Sequence, residues 1–188
     1  MMETIAEYRG NLLNHIEALY RPGDRELAVE LATAMGCAVS DTGFKGDGGS
    51  TFLAIHPNPD DRNPQNNAFY LSEVTEEQLR LETLLKAAVE NDGGLQDALA
   101  GYRDKVRSRP FGVPHFGLRY RRAQEIEAAE QRLAAASPAL KSRIQVRIFR
   151  PEHADAVTEI VQAFIYQDVI VSGAFLLGQL IEMQCQGS

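Results

Sequence analysis

One short pattern occurs twice in this chain, and the second copy constrains the fold more than anything else in the sequence. Asn14-His15-Ile16-Glu17-Ala18-Leu19-Tyr20-Arg21 and Pro114-His115-Phe116-Gly117-Leu118-Arg119-Tyr120-Arg121 each place a histidine one residue in, with a Tyr-Arg pair following at offsets of five and six. An internal repeat implies two copies of one supersecondary unit related by a pseudo-twofold, with a concave face shared between them. The segments after each copy extend the match.

In the first copy, residues 12–21 read as a strand stopped by the turn pair Pro22-Gly23. Asp24 stands where an N-cap belongs, and Leu27, Ala28, Leu31, Ala32, Ala34 and Met35 keep helical spacing up to Gly36. Residues 37–42, 51–56 and 67–72 read as strands, separated by a Gly-rich hairpin loop at 43–50 and by turn formers at 58–65. The outline is β-α-β-β-β.

A second pass gives the same outline. Residues 113–120 form a strand candidate, and 123–136 an Ala/Glu-rich helix with Ile126, Ala129 and Leu133 on one face. Residues 143–149 alternate, with Ile144, Val146 and Ile148 on one side and Arg143, Gln145 and Arg147 on the other. Two longer strands, 159–171 and 174–184, are expected to meet at Ser172-Gly173. Between the copies, 75–107 reads as two helices broken at Asn91-Asp92-Gly93-Gly94, the first opened by a Thr75/Gln78 capping box. The expected division is a first module over 10–74, a helical insertion over 75–110 and a second module over 111–188, in the α+β class.

Composition narrows the function classes. A formal charge of −7 argues against a dedicated nucleic-acid binder, which needs clustered cations to displace phosphate counterions. The start, Met1-Met2-Glu3-Thr4-Ile5 with Glu7 close behind, does not read as a signal peptide. The apolar stretch 169–177 is about half of what a bilayer-spanning helix requires. Cys37 and Cys185 lack metal-type spacing and read as reduced thiols, so a cytoplasmic protein is expected, without nucleic-acid or membrane partners.

The strand openings at 14–19 and 114–119, together with Leu177-Gly178-Gln179-Leu180-Ile181-Glu182-Met183, resemble the vicinal oxygen chelate superfamily, the glyoxalase, bleomycin-resistance and extradiol-dioxygenase proteins. The resemblance covers residues 12–72 and 113–184, and leaves the helical insertion unmatched. It implies two βαβββ modules forming a paired half-barrel around a divalent metal (iron, manganese, nickel or zinc). His15, His115 and Glu182 are the implied ligands, with Glu182 also the implied catalytic carboxylate. Glu73, in Leu71-Ser72-Glu73-Val74, is the candidate fourth ligand. Two imidazoles and one carboxylate leave open positions on a metal, through which a substrate chelates by two neighbouring oxygens. The implied function is a lyase, isomerase or dioxygenase acting on a small oxygen-rich or aromatic metabolite. The other reading is a metal-free protein that sequesters a small molecule.

Strand alternation adds three substrate-binding candidates. Arg119 shares the His115 face and is suited to clamping a carboxylate or phosphate, Glu17 shares the His15 face, and Tyr166 lies in a strand that would line the pocket. Plainer readings stand beside these. A single strand histidine is usually half-buried and hydrogen-bonded, and Glu182 between Ile181 and Met183 would face water if its side of the sheet were open. His56, followed by Pro57, reads as a strand-end residue and His153 as loop. The Gly-rich 43–49 is not a phosphate loop, because no Lys-Ser/Thr comes after it. The helical insertion carries Leu79, Leu84, Leu85 and Val89, enough apolar surface to pack on its own barrel or on the second subunit of a homodimer.

Overall fold

The computed structural model describes residues 16–63, 67–152, 160–172, 178 and 180–185. Among these, fourteen elements form two mixed sheets and five helices, an α+β architecture. The first sheet takes β1 (Ile16–Tyr20), β2 (Ala38–Lys45), β3 (Thr51–His56) and β4 (Phe69–Glu73) in the order β2-β3-β4-β1, with α1 (Arg25–Ala34) between β1 and β2. The second takes β5 (His115–Tyr120), β6 (Ile144–Phe149), β7 (Val161–Gln167) and β9 (Leu180–Cys185) in the order β6-β7-β9-β5. Helices α4 (Ala123–Ala134) and α5 (Pro138–Lys141) lie between β5 and β6.

Pairing senses match as well. β1 runs parallel to β4 as β5 does to β9, and the other neighbours within each set of four are antiparallel. Between the two sets lie α2 (Glu76–Glu90) and α3 (Gly93–Ser108). Among the described residues no helix is long and apolar enough to cross a membrane.

Local chemistry explains most boundaries. Gly36, at φ 93°, stands after α1 where the chain must turn left-handed, a conformation that suits glycine. Thr75 Oγ1 accepts from the Gln78 amide at 3.3 Å, and Asp92 Oδ1 from the Leu95 amide at 2.9 Å, so α2 and α3 each start at a side-chain cap. Asp24 does not cap α1. Its carboxylate is taken by the Arg143 guanidinium in two bonds of 2.7 and 2.9 Å, because a charge-assisted bidentate pair outweighs one capping bond.

The expected long strand 159–171 is interrupted. Gln167 accepts from the Ile170 amide at 2.7 Å and donates to the Ile170 carbonyl at 2.8 Å, which turns the chain at Asp168 and Val169. Beyond this turn, β8 (Ile170–Val171) leaves the second sheet and pairs antiparallel with β1 on the first. Gly178 passes so close to the same turn that a Cβ would stand 1.5 Å from the Gln167 carbonyl oxygen, a space only glycine fits.

The core is continuous across both halves. Ala28, Leu31 and Ala32 of α1 and Ile126, Ala129 and Leu133 of α4 pack in one cluster with Leu71, Leu118, Ile165, Ile181 and Met183 from the sheets. Polar ties cross the same seam: Arg132 Nε donates to the Ala34 carbonyl at 2.8 Å, and the Glu30 carboxylate accepts from the Ser137 amide and hydroxyl at 2.6 and 2.7 Å.

Candidate metal centre

β5 is the edge of the second sheet and β9 lies next to it, so their parallel ladder sets Gly117 opposite Glu182 and His115 opposite Leu180. On the other side β7 sets Phe164 opposite Glu182. One face of this sheet therefore carries His115, Gly117 and Arg119 from β5, Glu182 from β9, and Gln162, Phe164 and Tyr166 from β7. The opposite face is the apolar one covered by α4.

Two sequence-predicted ligands meet on the first of these faces. His115 Nε2 lies 3.1 Å from Glu182 Oε2. His115 Nδ1 lies 2.8 Å from the Val113 carbonyl, which can only accept, so Nδ1 carries a proton. With Nδ1 committed, Nε2 presents either a lone pair or a second proton to the carboxylate. A backbone carbonyl holding one imidazole nitrogen while the other faces outward is the usual support of a metal-ligating histidine. Two donors about 2.1 Å from one ion and at right angles to each other stand about 3 Å apart, so the separation suits neighbouring ligands of a single metal. It suits an imidazolium–carboxylate hydrogen bond equally well.

The surroundings enclose this carboxylate. Glu182 is 7 % exposed, and its Oε1 accepts from Gln162 Nε2. Phe164 stands edge-on to the His115 ring at 5.9 Å and 78°, which shields one side. A Cβ at Gly117 would make ordinary contact with Glu182 Oε2 at 3.5 Å, so alanine fits there and a longer side chain would cover the carboxylate. The His115 side chain keeps 27 % of its surface.

His15 lies outside the described residues. Among the described ones, no group of three His, Cys, Asp or Glu side chains is gathered to hold a metal ion. Arg119 is exposed, two residues along the His115 face of β5. Tyr166 sits at the far end of β7. Its hydroxyl donates to the Arg107 carbonyl at 3.2 Å, burial raises its pKa above the ordinary phenol value, and it borders a cavity of about 510 Å³ shared with α3. Glu17 is on the other sheet, where Oε1 accepts from the Ser72 hydroxyl at 2.8 Å beside a separate cavity of about 500 Å³.

Glu73 stands apart from the His115–Glu182 pair, on the first sheet. Tyr20 and Tyr120 are equivalent by the sequence repeat, and ladder register pairs Tyr20 with Glu73 and Tyr120 with Cys185. Three positions earlier, Glu17 faces Tyr70 and Gly117 faces Glu182, so the counterpart of Glu182 in the first sheet is Tyr70. The likeness of 71–74 to 180–183 is out of register. Glu73 projects from the face opposite Glu17 and accepts from the Ser50 hydroxyl, and it closes β4 rather than opening α2.

Several supporting groups were invisible to sequence reasoning. Val113 acts through a backbone carbonyl, which leaves no residue signature. Gln162 reaches Glu182 only because β7 and β9 pair in this register. Phe111, in the segment after α3, packs edge-on against Phe149 and Phe164 at 5.6 and 5.5 Å and covers part of this face.

No family model matches the chain, and no curated protein matches it. A solved structure described as that of the hypothetical protein SA1046 from S. aureus is similar over 94 % of this chain and 96 % of that one, at 10 % identity and a TM-score of 0.42. A likeness at that score carries no inference about fold or function.

Proposed function

We propose that the protein is a divalent-metal-dependent enzyme of the glyoxalase/dioxygenase type, built as two βαβββ modules in a paired half-barrel like those of the vicinal oxygen chelate superfamily. In this reading His15, His115 and Glu182 hold iron, manganese, nickel or zinc, and the substrate is a small oxygen-rich or aromatic metabolite of the cytoplasm. The observation that carries it is the convergence of His115 Nε2 and Glu182 Oε2 at 3.1 Å, with Nδ1 committed to the Val113 carbonyl. The matching strand orders and pairing senses of the two sheets support the two-module part.

A metal bound there would supply Lewis-acid polarisation of a substrate oxygen. The chain's own residues do the rest. Val113 fixes the His115 tautomer, Gln162 holds the Glu182 carboxylate in place, and Phe164 limits water on one side. Arg119, exposed on the same strand face, is available to an anionic substrate group.

One observation favours a metal-free binding protein instead: the His115–Glu182 pair satisfies itself as a hydrogen bond, while a cavity of about 500 Å³ lies on the first sheet. A homodimer is part of the proposal, through the exposed Leu81, Leu84 and Leu95 of α2 and α3. Light scattering tests that part directly.

Elemental analysis of untagged protein decides between the two readings. Near-stoichiometric metal in wild type, lost in His115→Ala and in Glu182→Ala, supports the enzyme. Wild type that carries no metal and takes up none on titration overturns it in favour of the binding protein.

A further inference from the structure

β3 ends on His56, whose side chain is 1 % exposed. Its Nδ1 is fully enclosed and has no hydrogen-bond partner among the described residues. A neutral imidazole offers one N–H and one lone pair, and leaving a buried polar group unmet costs about 1–3 kcal/mol. Folded proteins keep few such groups, and each one asks for an explanation.

The surroundings of His56 supply one. It borders the cavity of about 500 Å³ on the first sheet, together with Glu17, Phe52, Ala54, Arg62 and Tyr70. That volume is in the usual range for a small-molecule site. Phe44, at the rim of the same cavity, is 77 % exposed, an aromatic ring left in water beside an apolar recess. Aromatic walls of this kind favour a flat ring, which gains edge and face contacts as well as burial.

Charge selects further. Glu17 at one side opposes an anionic ligand, and Arg62 at another opposes a cationic one. Asp41 is neutralised by Arg25 at 2.6 Å. Burial and the nearby Arg62 cation also lower the His56 pKa, against an opposing pull from Asp61, so the ring keeps a lone pair to accept with. A ligand N–H is the complement of that lone pair.

We infer that the first-sheet cavity is a binding site for an uncharged, N–H-bearing aromatic molecule of one or two rings, which donates to His56 and stacks among Phe44, Phe52 and Tyr70. His115 and Glu182 of the proposed metal centre lie on the other sheet, and the chelator arm of the experiment below tells the two readings apart.

Indole is the probe, because the chain contains no tryptophan and indole emission is read without a protein background of its own kind. Full-length protein titrated with indole should saturate, and 1-methylindole, which lacks the N–H, should bind about tenfold more weakly. His56→Leu should bring the two ligands to equal affinity, while His56→Asn, whose amide occupies the Nδ1 position, should restore part of the difference. Phe44→Ala should weaken both ligands alike, and it keeps the site testable if His56→Leu fails to fold. A titration repeated in excess chelator should be unchanged, which separates this site from the metal centre. Failure to saturate, an unchanged indole preference in His56→Leu, loss in chelator, or tighter binding of tryptamine or indole-3-acetate than of indole would each overturn the inference.

Discussion

The two sheets share a strand order and pairing senses, yet the faces turned away from their helices differ. On the second sheet the face is closed at its centre: Phe111 packs on Phe149 and Phe164, and Arg147 Nη1 donates to the Arg107 and Ser108 carbonyls at 3.1 and 2.9 Å. On the first sheet the corresponding surface opens into the cavity that holds Glu17 and His56. The stretch from Val106 to Val113, which lies across the second sheet alone, separates them. The inserted helices therefore do more than link the repeats. Their C-terminal end packs on the second sheet through Val106 and through the Arg107 and Ser108 carbonyls, which accept from Arg147.

The sharpest break of this contrast is Phe164→Ala. Phe164 is fully buried at the centre of the aromatic cluster, so its loss should cost about 3–5 kcal/mol, read from the denaturant midpoint. Phe44→Ala on the open face should stay within about 0.5 kcal/mol, since that ring is 77 % exposed. Equal losses would mean that the two faces are packed alike.

A smaller effect is expected from Phe111→Ala, about 2 kcal/mol, because this ring is only partly buried. The variant should also speed chemical modification of His115 while His56 stays protected, which peptide mapping would reveal. No change in the His115 rate would remove the insertion from its role as a cover.

The third expectation concerns pH. The folded pKa of His56 lies below its ordinary 6.5, chiefly through desolvation, so the unfolded chain binds its proton more readily. Stability should therefore fall as pH drops from 6.5 towards the folded pKa, and His56→Leu should remove that component of the slope. A wild-type slope identical to the variant's would show that the ring is not held neutral.

The smallest effect belongs to the helix-covered side of the first sheet. Cys37 is buried, and desolvation pushes its thiol up to about 12. It should remain unalkylated in native protein near pH 8 and react only after unfolding, by mass-mapped labelling. Prompt native labelling would contradict a closed α1 seam.

Much of the architecture was written in the pattern. Residues 51–56 and 144–149 form strands where alternation and flanking turn residues placed them, and α2 and α3 break at the Asn91–Gly94 turn formers. β1 and β5 each run parallel to the last strand of their own set of four, β4 and β9, though β1 also pairs with β8 while β5 is an edge. Of the candidate site, His115 and Glu182 do meet, whereas Glu17 and Tyr166 fall in different cavities and Glu73 on an opposite face.

The sequence by itself determined the local elements and the two-fold repetition, because period, caps and turn chemistry act within a few residues. Only the tertiary structure decided which side chains share a site. Register sets Tyr70 rather than Glu73 level with the place of Glu182, and a one-residue slip sends a strand side chain to the other face. Long-range packing did the remainder: it drew Asp24 from a cap to Arg143, carried β8 across to the first sheet, and left Nδ1 of His56 without a partner among the described residues. None of these outcomes has a local cause, since each depends on which groups the folded chain brings together after its nearest-neighbour preferences are satisfied.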